Sequence, residues 1–141
     1  MLSTRFETIH RPMKRLLITL LVTWFLPVAV TAQEIKVGTL VIVHPMVDEA
    51  AKGQAFAWGS VKIKNEGKSP DELMAMSAEF AETALINTPV IVPATGQAIT
   101  VLITFEKIKR QLSEDKAYAG ELVFKRAGKI KIDLFVHRQA H

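Results

Sequence analysis

The stretch Trp58-Gly-Ser-Val-Lys-Ile-Lys-Asn-Glu-Gly-Lys-Ser-Pro-Asp-Glu-Leu73 decides how the rest of the chain is read. Ser60, Lys62 and Lys64 alternate with Val61 and Ile63, the period of a strand with one wet and one buried face. Asn65-Glu-Gly-Lys-Ser-Pro-Asp71 then stacks turn formers: Gly67 for positive φ, Pro70 for a fixed φ, Asn65 and Asp71 as local backbone caps. A second apolar run, Leu73 to Met76, follows at once. Strand, turn and strand predict a hairpin-like corner of an all-β domain.

The flanking segments repeat this texture. Glu34 to His44 reads as one strand that Pro45 should end, because proline has no N–H for a ladder. Met46 to Phe56 and Glu106 to Lys116 lack alternation and are expected as loops, each with room for a helical turn. Thr83 to Pro93 gives two short β pieces divided at Asn87-Thr-Pro89, and Ala94-Thr-Gly-Gln97 is a turn. In Ala98 to Phe105, Ile99, Val101, Ile103 and Phe105 share one face, with Thr100, Leu102 and Thr104 on the other. Ala119–Arg126 and Lys129–His137 are joined by Ala127-Gly128, a hairpin signal, with Ile130, Ile132, Leu134 and Val136 inward. Seven or so short strands and little helix predict a single β-sandwich.

The domain is expected to begin at Gln33. Arg11, Lys14 and Arg15 precede Leu16–Val30, an apolar run of 15 residues closed by Val30-Thr-Ala32. That run is shorter than the ~20 residues a membrane-spanning helix needs, so residues 1–32 read as a secretory signal peptide and 33–141 as the exported domain. Met13 offers a second start for the same signal. An uncleaved anchor is the plainer alternative, and either way the domain is exported. With Arg5, Arg11, Lys14, Arg15 and Glu7 removed, 18 basic and 14 acidic residues fall to 14 and 13, a net charge of +1. A near-neutral domain gives no electrostatic footprint for nucleic acid. The chain has no cysteine, which excludes disulfides, thiolate nucleophiles and Cys-based metal sites.

In family order, the chain presents a leader, Ile42-Val-His-Pro45, Gly59 to Leu73, Ile91-Val-Pro-Ala-Thr-Gly96, Ile108 to Glu114 and Leu122 to Gly128 before the last strand. So ordered, it resembles the PCu(A)C-type periplasmic copper chaperones. The resemblance implies a cupredoxin-like β-sandwich, Cu(I) as cargo, and a copper-donating or copper-receiving envelope protein as partner. It also implies a ligand set: a His after the corner, a Met in the next hairpin, and a His-x-Met pair on a later strand. Imidazole with thioether suits soft Cu(I), and i, i+2 positions on a strand share a face. Carried over, the first His falls at about Ile86 and the His-x-Met pair on Leu102 and Thr104, while the Met hairpin is shortened to Asn87-Thr-Pro89. The scaffold matches and the copper site looks erased.

Other soft donors remain. His44 and Met46 flank Pro45, and the plainer reading makes them a strand-end His capping backbone and a Met filling core. Met74-x-Met76 should share a strand face, which core packing would also explain. His137 and His141 sit at the C-terminus, where solvation is the plainer reading. Catalysis finds no support: there is no serine elbow, phosphate loop or His-x-x-x-His, and no carboxylate pair that sequence would place across a cleft. Lys107-Ile-Lys-Arg110 reads as a solvated face, or as a docking patch for an acidic partner. Two functions stand side by side: an exported Cu(I)-handling chaperone with a degenerate or relocated site, and a metal-free adaptor domain that contacts a protein partner.

Overall fold

A computed structural model describes residues 34–87 and 89–138. The expected signal peptide over 1–32 and His141 lie outside the described residues. Nine strands follow in order: β1 (Glu34–Val37), β2 (Leu40–Asp48), β3 (Phe56–Asn65), β4 (Asp71–Ala78), β5 (Ala81–Leu85), β6 (Val90–Val92), β7 (Ile99–Ile108), β8 (Ala117–Phe124) and β9 (Gly128–His137). No helix occurs among the described residues. The all-β reading stands, with more strands than expected because Glu34–His44 is not one strand. Gly38, at φ +58°, turns the chain so that Val37 pairs with Leu40.

The strands are ordered β5-β7-β3-β2-β9-β8-β4-β6, with β1 also on β2. This sheet curls into two layers, β5-β7-β3-β2 and β9-β8-β4-β6, that close on a shared apolar core. Phe80, Phe105, Phe124, Ile42, Ile63, Leu73, Leu122 and Leu134 fill it. Phe80 meets the Phe105 ring edge-on at 4.8 Å and Tyr118 at 5.9 Å. The inward faces expected for β7 and β9 are the observed ones.

Strand β2 joins the layers. Its first half pairs with β1 and β3, and its last three residues, Met46 to Asp48, pair in parallel with Phe135 to His137. Pro45 does not end the strand, contrary to expectation. Between Val43 and Met46 the ladder to β3 slips by one residue, and Pro45 lies inside that bulge, where a missing N–H costs no ladder bond. His44 takes φ +50°, a conformation that L residues seldom adopt. The expected loops also shrink. Met46–Asp48 belongs to β2, and Glu106–Ile108 belongs to β7.

The corner between β3 and β4 is a crossing from one layer to the other, since these strands share no ladder. Two buried polar side chains hold it. Asn65 accepts the Gly67 N–H at 3.0 Å, and its amide donates to the Ser69 carbonyl at 2.8 Å and the Val92 carbonyl at 3.4 Å. The Asp71 carboxylate accepts N–H bonds from Glu72 and Arg126 at 2.8 Å and from Ala127 at 2.9 Å. It thereby ties the corner to the three-residue loop of the β8–β9 hairpin. Contrary to expectation, Gly67 does not serve by positive φ; a Cβ there would lie 2.9 Å from Thr39.

Replacing Asp71 by Ala leaves the Arg126 and Ala127 N–H groups without their acceptor. Urea unfolding of D71A should show a loss of about 2–4 kcal/mol. A loss below about 0.5 kcal/mol would mean that the loop does not depend on this carboxylate.

Candidate functional site

Backbone register fixes which side chains share the outer face of the β5-β7-β3-β2 layer. One row runs Phe135–Met46–Ser60–Leu102 across β9, β2, β3 and β7. The next runs Trp58–Thr104–Leu85 across β3, β7 and β5, and a third runs Phe56–Glu106–Thr83. The large apolar members of these rows are open to water: Leu102 is 72% exposed, Trp58 55%, Phe56 48% and Leu85 47%. Phe56 and Trp58 pack edge-on at 5.7 Å. Alternation places Leu102 and Thr104 outward, as observed; their neighbours Phe56, Trp58 and Leu85 are not among the expected site residues. Trp58 and Phe56 stand at i, i+2 on a strand, the signal that would have found them.

The surviving soft donors fall in two places. On β2, His44 is exposed and its side chain makes no hydrogen bond among the described residues, so it caps nothing. Met46 is half-buried on the outer face and outside the core cluster, so it is not core filling. Met46 pairs with Phe135, which places His137 two residues further along the neighbouring strand on the same face. On β4, Met74 and Met76 do not share a face as expected. The ladder to β8 slips between Leu73 and Ala75, so Met74 is 51% exposed while Met76, at 6%, enters the core. Three strand steps of the sheet order separate β2 from β4.

Elsewhere the surface offers less. Lys107 pairs with Glu82 at 3.4 Å, and Arg110 pairs with Glu79 at 3.2 Å and lies over the Tyr118 ring, so two of the three basic residues of the run are paired. Two hollows of about 420 and 440 Å³ carry no His or Met. No group of three His, Cys, Asp or Glu side chains lies together among the described residues.

Solved structures similar to this chain include PCuAC domains. The apo PCuAC domain from PmoF1 is 28% identical, with a TM-score of 0.70 over 76% of this chain and 100% of that one. The copper-bound PCuAC domain from PmoF2 is 20% identical, with a TM-score of 0.69 over 76% and 99%. The Cu(I) form of DR1885 from Deinococcus radiodurans is 14% identical, with a TM-score of 0.58 over 74% and 80%. The chain has the PCuAC-type, cupredoxin-like fold. No family model matches it, and no curated protein does.

The positions that the resemblance assigns to copper do not fit that metal. Leu102 and Ile86 carry no donor atom, and the Thr104 hydroxyl is a hard oxygen where Cu(I) takes sulfur or imidazole. Ile86 packs against the edge of the core.

The split of the β4 methionines has a direct chemical readout. Dilute peroxide on the native protein should convert Met74 to the sulfoxide at least ~10-fold faster than Met76, as read by peptide mass spectrometry. Equal rates would mean that the bulge does not separate them.

Proposed function

We propose that this is an exported, periplasmic copper-chaperone-like domain that handles Cu(I) through donors displaced from the family's position. His44 and Met46 at the β2 bulge are the donors, with His137 on the adjoining strand as a third. One observation carries the reading: the His44 side chain is exposed, makes no hydrogen bond among the described residues, and stands two residues from the outward Met46 thioether. Imidazole with thioether is the soft donor set that Cu(I) prefers. Met46 lies two strands from Leu102 in the same row, so the donors have moved by ~10 Å across one face. The copper would pass to or from an envelope protein, and no catalytic step is involved. Export rests on the basic and apolar pattern of residues 1–32.

A second reading, a metal-free adaptor, is favoured by the exposed apolar face around Leu102 and Trp58. The two readings separate in a competition titration of the exported chain against a chromogenic Cu(I) chelator. The chain should withdraw copper from the chelator, and H44A or M46L should each weaken that competition by at least ~10-fold. No withdrawal at any ratio would leave the adaptor alone.

A further inference from the structure

The outer face of the β5-β7-β3-β2 layer is apolar at its centre and oppositely charged at its ends. Lys62 stands beyond the Ser60–Leu102 row, paired in register with Thr100; Lys64 stands one row further, and Glu34 lies two strands away from Lys62 at the β1 edge, so this end is net basic. Glu106 stands beyond the Trp58–Thr104 row, in register with Phe56 and Thr83. Neither Lys62 nor Glu106 has an ion-pair partner among the described residues, whereas Lys107 and Arg110 nearby do. The face therefore carries an apolar band of Phe56, Trp58, Leu85 and Leu102 between an unpaired cation and an unpaired anion.

From this pattern we infer that the face binds a second copy of the same chain, in a two-fold dimer with the strands of the two copies antiparallel. The inference rests on reading this face as a contact surface and adds the identity of its occupant. A two-fold axis lying across the strands, midway between the Trp58–Thr104 and Ser60–Leu102 rows, maps the Lys62 row of one copy onto the Phe56–Glu106 row of the other. Each end then meets its opposite charge once, two such contacts in the dimer, and Leu102 of each copy comes over the Trp58–Thr104 row of its mate. The other in-plane axis, along the strands, would set Lys62 against Lys62 and is disfavoured by like-charge repulsion. A face that is complementary to itself under one rotation is what an isologous dimer requires. The area agrees. Four strands at about 4.8 Å spacing and nine residues at about 3.4 Å give a face of roughly 20 by 30 Å, about 600 Å² per partner, the low end of specific interfaces. Packed sheets stand ~10 Å apart, within reach of a lysine and a glutamate side chain together.

Sedimentation equilibrium on the exported chain, from low micromolar to millimolar, tests this. A dimer should form, and L102E should weaken it by at least ~100-fold, because a carboxylate would be buried without a partner. K62E and E106K should each weaken it, while the K62E/E106K double variant restores it, since the two charges only exchange ends. Circular dichroism checks that each variant is folded. A wild-type monomer throughout, a dimer indifferent to L102E, or a double variant no better than the singles would overturn the inference. A photo-crosslinker at position 102 distinguishes the occupants. Adducts of the chain with itself support the dimer. Adducts only with another envelope protein overturn it, yet leave the face a contact surface. A monomer with no adducts removes both.

Discussion

The bulge at His44-Pro45 is the constraint on which the architecture depends. One inserted residue lets β2 leave β1 and take up β9, and that change of partner turns a single hydrogen-bonded path into two facing layers. The insertion has a local cost, since a histidine held at φ +50° stores on the order of 1–3 kcal/mol. The surrounding ladders and core enforce it. The same bulge leaves the His44 side chain exposed and Met46 on the outer face, so a feature that closes the sandwich also leaves two soft donors at i, i+2 outside the core.

The corner residues show why the fold was largely legible. Asn65 and Asp71 were readable as caps because short polar side chains beside Gly and Pro have few other uses, and both cap as expected. Their longer reach, to Val92 and to the β8–β9 loop, depends on tertiary neighbours that local chemistry does not name. Gly67 was readable as special but for a different reason, because crowding by Thr39 is a contact across 28 residues of chain. Alternation placed the inward faces of β7 and β9 correctly. It failed at Met74 and Met76, since a bulge shifts the period and leaves no mark in composition.

The site was legible in what it lacked. Leu102 and Thr104 were placed outward by alternation alone, and the structure keeps them there beside Trp58 and Leu85. What could not be read was the company they keep, because β3, β5 and β7 are brought together by ladders between distant segments. The plain readings of His44 and Met46 as a cap and a core filler suit a strand ending at Pro45. They lapse because the strand continues. Fold and surface chemistry thus separate here: the PCuAC-type scaffold is kept, while the face that carries metal in the family's pattern is apolar.

The proposed copper donors lie at the β2 bulge. The most direct measurement is a titration of the isotopically labelled exported chain with Cu(I), followed by amide chemical shifts. Changes are expected only at His44–Asp48 and Phe135–His137, with Leu102–Thr104 unmoved. Changes centred on Ile86, Leu102 and Thr104, or no change at all, would contradict it.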